Sequence, residues 1–315
     1  MKTGSRSTGR AAGDRPPLAR VAVLVLAALA TAGGSALGDV RDDRAADRLA
    51  PLGAKIRRDK DGRITALSLF PADSKVTDAD FEAVEGLTAL KSMLLVETNL
   101  TDAALAHLAK LPALETLYLG GTHTDAAGVT TVGGTGLTDA GLVHLAGIKS
   151  LRRLVLAAPR FTDAGLVHVE GLTDLRLLGL SAPGFTDLGL ARLRRLTALA
   201  DLNLAGSRVE GRGLATLAGL PALNSLVLGD NRFDAEGLKP LADLAGLRRL
   251  MIYKGTLTPD AAARLEGLPR LETLDLVETP IPAGRLDAIR KALATTQINV
   301  EDKEQVTSML REKPK

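Results

Sequence analysis

The sequence predicts an α/β solenoid, in which a curved parallel sheet forms the concave side and short helices form the convex side. Two observations carry this prediction: a leucine pattern recurs every 24 residues, and each copy combines the period of a strand with that of a helix. The 315 residues are 45% hydrophobic and 24% charged, which excludes wholesale disorder. We expect about nine repeats and a partial strand that caps the last one.

A stretch of the form L-x-x-L-x-L begins each full repeat, and all intervals between successive copies except one are 24 residues. Counting the first leucine as zero, apolar residues recur at offsets 0, 3, 5, 10, 15, 18 and 21. Offsets 3 and 5 alternate as in a strand, whereas 15, 18 and 21 lie on one side of a helical segment. Stacked copies therefore share one continuous apolar column. Unit one begins at Ile64 and is slightly longer than the others. Units two to nine begin at Leu90, Leu114, Leu151, Leu175, Leu199, Leu223, Leu247 and Leu271.

A Thr-Asp pair follows the strand in several repeats, at the place where the helix would begin. The threonine hydroxyl can accept a hydrogen bond from an early helix amide, and the aspartate lies in the favourable field of the helix start. The recurring pair therefore predicts helix starts and not a catalytic site. Its members are Thr101-Asp102, Thr138-Asp139, Thr162-Asp163 and Thr186-Asp187.

With L-x-x-L-x-L followed by T-D-A-G-L-x-x-L, the chain from about residue 40 to 300 resembles the leucine-rich repeat proteins. It is most similar to exported bacterial members with 24-residue TDAGL repeats, whose relatives include GALA-type and F-box-associated repeats. The resemblance implies a leucine-rich-repeat solenoid and says little about activity. The chain departs from the family at offset 8, where an Asn or Cys is usual and only Asn231 fits. We expect the other turns to find different partners.

The two ends differ from the repeats. The amino terminus combines a basic segment, an apolar run from Val21 to Ala32 and small residues before Asp39, which is typical of a cleaved export signal. An uncleaved membrane anchor and a chance Ala/Val-rich tail are the alternatives. Export predicts an extracytoplasmic location: periplasmic, envelope-associated or secreted. The expected divisions are 1–38 for the signal or anchor, 39–63 for a cap with a hairpin at Asp61-Gly62, 64–294 for the repeats, and 295–315 for a capping strand and polar tail.

One interval is longer than the others. Leu114 and Leu151 are 37 residues apart, so about 13 residues are inserted near residues 122–136. The insertion contains a near copy of the helix-start motif at Thr124-Asp125. One interpretation is a partly duplicated helix start extruded as a loop. The other is a recognition element, because irregular loops on rigid scaffolds often carry function.

Catalytic and metal-binding motifs receive no support from the sequence. Cysteine is absent, which removes thiolate metal sites and cysteine nucleophiles. His107, His144 and His168 recur at one offset, but packed helices lie about 8–10 Å apart, too far to share one zinc ion. Neither a nucleophile elbow nor an H-E-x-x-H motif occurs. We expect no enzymatic activity, no cofactor and no metal.

Charge and aromatic content narrow the classes of partner. Five of the 40 Lys and Arg, but one of the 37 Asp and Glu, lie in residues 1–38, so the remainder carries 35 basic and 36 acidic side chains. This balance gives no support for nucleic-acid binding. Aromatics make up 2% of the chain and Trp is absent, which disfavours a glycan-binding function. Membrane contact is expected only if the N-terminal segment stays uncleaved.

Offsets 1, 2, 4, 6 and 7 are expected on the concave face of the sheet, where a partner could bind. In the middle units these positions hold small residues: Gly120, Gly121, Ala157, Ala158, Ser181, Ala182, Ala205, Gly206 and Gly229. Unit eight instead offers Arg, Met and Tyr, which are enriched at interfaces, with Met251 and Tyr253 expected to be exposed together. The candidate partner-binding residues are Tyr118 in unit three, Arg152, Arg153 and Val155 in unit four, and Arg248, Arg249, Met251, Tyr253 and Lys254 in unit eight.

The leading hypothesis is a non-enzymatic interaction module of the cell envelope or exterior that binds an unidentified protein through the concave face. One alternative is a structural envelope protein without a specific ligand, which the small concave side chains would suit. The other is a substrate-recognition subunit like the F-box leucine-rich repeat proteins, and it follows only from the resemblance.

Overall fold

The structure is a computed structural model and describes residues 40–70, 75–124, 130–132, 136–268 and 270–301. Of residues 122–124 and 130–132 it describes the backbone alone. The expected export signal in residues 1–38 and the polar tail after Glu301 lie outside the described residues. Within the described part of the chain, no helix combines the length and the apolar character needed to cross a membrane.

The protein is an α/β leucine-rich-repeat solenoid, and the described residues build a main sheet of 11 strands. β1 and β2 pair antiparallel, and every later pair in this sheet is parallel. The strands are β1 (Lys55–Arg58), β2 (Ile64–Leu69), β3 (Ser92–Leu95), β4 (Thr116–Gly120), β5 (Thr122–Thr124), β6 (Thr130–Val132), β7 (Arg153–Ala157), β8 (Leu177–Leu180), β9 (Asp201–Asn203), β10 (Ser225–Gly229), β11 (Arg232–Phe233), β12 (Arg249–Tyr253), β13 (Thr256–Leu257), β14 (Thr273–Val277) and β15 (Gln297–Glu301).

Short helices return the chain from the end of one strand to the start of the next. The α-helices are α1 (Val40–Leu49), α2 (Asp78–Phe81), α3 (Asp102–Leu105), α4 (Asp139–Leu142), α5 (Ala235–Leu238), α6 (Pro259–Leu265) and α7 (Arg285–Ala292). The 3₁₀ helices are Ala50–Leu52, Glu82–Val84, Ala106–Lys110, Val143–Leu145, Asp163–His168, Gly189–Arg195, Arg212–Gly219 and Lys239–Asp243. Helices this short are stabilised mainly by packing on the column.

The predicted offsets match the register of the sheet. Leu226 on β10 aligns with Leu250 on β12, which aligns in turn with Leu274 on β14. Leu274 then aligns with Ile298 on β15, so β15 is the partial capping strand that the sequence predicts. The aligned leucines are fully buried and belong to one apolar cluster that runs through all the units. Offset 10 contributes its largest side chains, Phe161, Phe185 and Phe233.

The N-terminal end of the column is covered by α1 together with β1. Ala45 and Leu49, four residues apart on one helix face, are buried against the column, and Asp42 accepts a hydrogen bond from the Ile64 amide at 3.2 Å. The sequence analysis predicts the hairpin but not this helix.

Thr-Asp pairs join neighbouring repeats as well as capping helices. Thr162 caps its own helix by accepting a hydrogen bond from the Ala164 amide at 3.2 Å, as predicted. The Asp139 carboxylate of the preceding repeat accepts from the Thr162 amide at 2.9 Å and from its hydroxyl at 2.5 Å. The same pair of hydrogen bonds links Asp78 to Thr101, Asp102 to Thr138, and Asp163 to Thr186. The aspartates therefore clamp one repeat to the next, a role that their local setting does not predict.

Hydroxyl groups take the place of the asparagine at two of the offset-8 positions, Ser207 and Thr279. Asn231 donates from its side-chain amide to the carbonyls of Ser207 and Val209, at 3.0 and 2.9 Å. The Ser207 hydroxyl donates to the Leu204 carbonyl at 2.7 Å. The Thr279 hydroxyl donates to the Ile252 carbonyl at 3.0 Å. At these three positions side-chain groups bond the backbone carbonyls of the turns, so Ser207 and Thr279 are two of the different partners that the sequence leads us to expect.

The insertion after unit three contains an element that the sequence analysis does not predict. Residues 122–124 pair antiparallel with residues 130–132, so this part is a small β-hairpin and not the expected loop. The β-branched residues Thr130, Thr131 and Val132 suit a strand, which explains the difference. Residues 125–129 and 133–135 lie outside the described residues.

Candidate protein interface

A row of small side chains crosses the middle of the concave face. Residues at offsets 2, 4 and 6 point away from the column, because successive side chains of a strand alternate between the two faces of a sheet. We call the offset-6 positions of units three to seven the small-residue row: Gly120, Ala157 and Gly229 are the last residues of their strands, and Ser181 and Ala205 lie just beyond the ends of theirs. Neighbouring strands lie about 4.8 Å apart, so the row spans about 19 Å. It forms a low floor on which an extended segment could lie.

Several small residues of the middle units that were expected on the concave face are buried. Ala158 and Ala182 are fully buried in the apolar column and do not belong to the concave face. Ala157 is fully buried as well, since a backbone turn at Gly120 brings that residue directly against the Ala157 carbonyl. Ser181 and Ala205 are the members of the row that solvent reaches in part.

Tyr253 closes one end of the small-residue row. Its ring lies against Gly229, where a side chain would bring a Cβ within 3.3 Å of Tyr253 Cδ1. The Lys254 ammonium lies 5.0 Å from the centre of the same ring. Burial raises the pKa of the Tyr253 phenol. Tyr253 is half-buried, so solvent reaches part of it.

Met251 was expected to be exposed beside Tyr253, and this expectation is wrong. Its side chain is on the predicted face but is only 8% exposed. Met251 occupies the middle of β12, with Val227 and Asp275 directly beside it on the two paired strands. The alternation of a strand decides which face a side chain takes, but its neighbours decide how much of it solvent reaches.

The arginines of unit eight already have partners within the chain. The Arg249 guanidinium lies 3.4 Å from the Asp201 carboxylate and donates to the Asn224 side-chain oxygen at 3.1 Å. Arg248 lies 3.7 Å from the Glu272 carboxylate. Both arginines remain partly exposed, so they can contact a ligand, but their positive charge is partly neutralised.

The candidates of units three and four form a second group on the same face. Tyr118 and Val155 are directly paired on β4 and β7, and both are half-buried. Burial and the nearby Glu97 raise the pKa of the Tyr118 phenol. Arg153 is exposed two residues before Val155, while Arg152 pairs with Asp174 at 3.1 Å. Four strand spacings, about 19 Å, separate this group from the unit-eight residues.

A set of charged residues with unusual backbone conformation was missed by the sequence analysis. Glu97, Asp230, Lys254 and Glu278 occupy offset 7 and have positive φ angles of 48°, 56°, 49° and 47°. Few residues other than glycine adopt this region. The signal available in the sequence is Gly206, which occupies the same offset with a φ of 79°. One glycine did not reveal that the offset-7 residues of units two, seven, eight and nine are left-handed as well.

Three features outside the concave face were considered as catalytic or metal sites: the ion pairs of Glu85, groups of possible metal ligands, and a small cleft. Glu85 accepts hydrogen bonds from Lys110 and from His107 Nδ1, both at 2.7 Å, and these contacts lower the pKa of its carboxyl. Within the described ranges, no three His, Cys, Asp or Glu side chains are grouped as a metal site would need. A cleft of about 100 Å³ beside Leu217 and Leu244 is lined by apolar and backbone groups, with no ionisable side chain.

Comparison with known proteins finds likenesses among solved structures only. No family model matches the chain, and no curated protein matches it. An internalin of Listeria monocytogenes is 21% identical over 72% of this chain and 67% of its own, with a TM-score of 0.47. A leucine-rich-repeat protein of Leptospira interrogans is 22% identical over 69% of this chain and 50% of its own, with a TM-score of 0.45. A plant peptide hormone receptor, solved with its peptide, is 15% identical over 79% of this chain and 36% of its own, with a TM-score of 0.41.

At these identities and TM-scores the likenesses add nothing about function. The class that the fold itself defines is the leucine-rich-repeat solenoid, and its open sheet face is the candidate interface.

Proposed function

We propose that this protein is a non-enzymatic interaction module that binds a protein partner through the concave face of its solenoid. The observation that carries the proposal is the small-residue row, which ends against the half-buried ring of Tyr253. A low floor beside a rigid aromatic wall provides both room for a ligand and a large contact area.

The sheet that carries this surface supports the proposal. Each strand of the concave face is hydrogen-bonded on both sides, apart from β1 and β15 at the ends of the described sheet. Side chains on such a frame are already in place before a partner arrives, which reduces the entropy cost of binding.

We further propose that the protein acts in the cell envelope or outside the cell. This part rests on residues 1–38, whose basic, apolar and small-residue segments follow the order of an export signal. Membrane attachment would follow only if that segment is retained. The alternative of a recruitment subunit like the F-box leucine-rich repeat proteins rests on the sequence resemblance alone.

A partner isolated from the envelope fraction of the producing cells would allow the surface to be tested. Ser181→Arg places a long side chain on the small-residue row, at a position that solvent reaches. Ala215→Arg adds the same side chain to an exposed position of the helical side and serves as the control. We expect Ser181→Arg to raise Kd by about tenfold or more and Ala215→Arg to leave it unchanged. Equal Kd values for both variants would contradict concave-face binding.

A further inference from the structure

The helical side of units three to five leaves large apolar side chains in solvent, and we call these residues the helical patch. Val143 is 48% exposed, Val167 40% and Leu188 82%. Among the described residues only five large apolar side chains are exposed, and these three lie in consecutive repeats. Contiguous apolar surface of this kind commonly marks a contact between proteins.

The helical patch is part of a longer surface that takes two positions from each repeat. These are offsets 13 and 16, counted in unit three without its 13 inserted residues. Residues three positions apart on a helical segment point to the same side. In units two to five, alanine fills the positions that the helical patch leaves: Ala103, Ala106, Ala140, Ala164 and Ala191. The surface of these four units is therefore uncharged at both offsets.

Charged side chains of opposite sign occupy the two ends of this surface. Glu82 lies 24 residues before Ala106, so it takes offset 16 in unit one. Arg212 takes offset 13 in unit six. Both side chains are exposed; Glu82 makes no ion pair with a described residue, and Arg212 comes only within 3.8 Å of Asp234. Both charges can therefore reach a further partner.

A two-fold axis between units three and four makes this surface complementary to itself. The axis places unit three against unit four of a second copy, unit two against unit five, and unit one against unit six. It also reverses the helical segments, so offset 13 of one copy faces offset 16 of the other. The resulting pairs are Val143 with Ala164, Val167 with Ala140, Leu188 with Ala106, and Arg212 with Glu82.

Each of these pairs joins a large side chain to a small one, or a cation to an anion. Side-chain length also increases away from the axis, from valine through leucine to arginine. This order suits two convex surfaces, because the gap between them widens with distance from the axis. A second copy of the chain is therefore the partner that fits this surface.

We propose that the protein forms a two-fold symmetric dimer, back to back through the helical side of units one to six. The inference goes beyond the proposed function and does not depend on it, because both concave faces point outward. Packed helices lie about 8–10 Å apart, so six units give a contact about 40–50 Å long. At a width of about 10–12 Å, the two copies together bury about 1,000 Å². This area is at the low end for specific interfaces, so we expect a Kd in the micromolar range.

Sedimentation equilibrium of the protein recovered from the producing cells measures this dimer. We expect the wild-type mass to rise from one chain to two through the micromolar range. Leu188→Glu should raise the dimer Kd at least tenfold, because it places a charge against alanines. Ala263→Glu adds the same side chain to the helical side of unit eight, beyond the contact, and should leave this Kd unchanged. A wild type that stays monomeric up to about 200 μM, or equal Kd values for the two variants, would overturn the inference.

Charge reversal tests the orientation of the two copies. Arg212→Glu and Glu82→Arg should each raise the dimer Kd by about threefold to tenfold, because each variant places like charges face to face twice in the symmetric contact. The double variant restores opposite charges and should return the Kd to within about twofold of the wild type. Circular dichroism checks that these exposed substitutions leave the fold intact. A double variant that dimerises no better than the single variants would overturn this arrangement.

The dimer and the proposed function can fail separately. Ser181→Arg lies on the concave face and should leave the dimer Kd unchanged, whatever its effect on the protein partner. Loss of the dimer in Ser181→Arg, with Leu188→Glu still dimeric, would overturn the back-to-back contact.

Discussion

Tyr253 is the single side chain on which binding at the concave face should depend most. Its ring is half-buried against Gly229, so it is already held in place before a partner arrives. Rigid aromatic side chains of this kind often dominate interface energies. Met251 is buried, so of these two side chains in unit eight only Tyr253 is substantially reached by solvent.

We predict that Tyr253→Ala weakens binding of the partner by about 1–3 kcal/mol and leaves the fold intact. Calorimetric titration gives the affinity, and circular dichroism checks the fold. Tyr253→Phe is the matched control, because it keeps the ring and should retain most of the affinity. Unchanged affinity of Tyr253→Ala would exclude this end of the row from the interface.

At Glu85 a single carboxylate should give the stability a measurable pH dependence. Hydrogen bonds from Lys110 and His107 lower the pKa of the Glu85 carboxyl in the folded protein. A depressed folded pKa stabilises the protein above the unfolded pKa of about 4.3, and the benefit is lost as the pH falls through the folded value. Glu85→Gln should therefore lower Tm at about pH 6, and the difference should shrink as the pH falls below about 4. A Tm difference that stays constant over this range would contradict the assignment.

At the scale of elements, the strand leucines hold the repeats together. Leu178 is fully buried in β8, paired with Leu154 on one side and Leu202 on the other. We predict that Leu178→Ala lowers the free energy of unfolding by about 2–5 kcal/mol. Because each repeat contacts only its neighbours, hydrogen exchange should accelerate first in units four to six.

His144→Ala is the control for this experiment. His144 is half-exposed on the helical side, and its removal should change stability by no more than about 0.5 kcal/mol. A melting temperature that rises with zinc in the wild type but not in His144→Ala would overturn the view that the histidines bind no metal.

The aspartate clamp between repeats explains the glycine in the T-D-A-G-L motif. This glycine packs against the clamping aspartate of the preceding repeat, which leaves no room for a side chain. A Cβ at Gly165 would collide with the Asp139 carboxylate and with Leu142. We predict that Gly165→Ala and Asp139→Ala each destabilise the protein, the latter by about 1–3 kcal/mol because two donors of Thr162 lose their acceptor. The double variant should lose less than the sum, since removing the carboxylate also removes the collision. Strict additivity in denaturant unfolding would contradict the clamp.

The repeat pattern predicts most of the fold, because spacing reports directly on which side chains enter the column. Offsets 3 and 5 locate the strands of the main sheet from β3 onward, and Thr162 is the helix cap that its position predicts. The Asp139 clamp could not be predicted, since its partner lies in the next repeat and local patterns do not show contacts of that range. Exposure on the concave face also depends on the neighbouring strands. The sequence therefore predicts the correct face for Met251 but the wrong degree of exposure.

At the scale of the whole molecule, the location of the protein is the first question. If residues 1–38 are a cleaved export signal, the mature chain should begin near Asp39. Amino-terminal sequencing of protein recovered from the producing cells tests this prediction. An intact Met1 in the membrane fraction would indicate a retained anchor, and an intact Met1 in the cytosol would contradict export.

The measurement that tests the central claim most directly is hydrogen exchange of the whole protein with and without its purified partner. Binding through the concave face should slow exchange at the ends of β8 to β12 and in the turns that follow them, including Ser181, Gly206 and Asp230. The 3₁₀ helices of the same units, such as Gly189–Arg195 and Arg212–Gly219, should be unaffected. Protection confined to those helices, with the strand ends unchanged, would contradict concave-face binding.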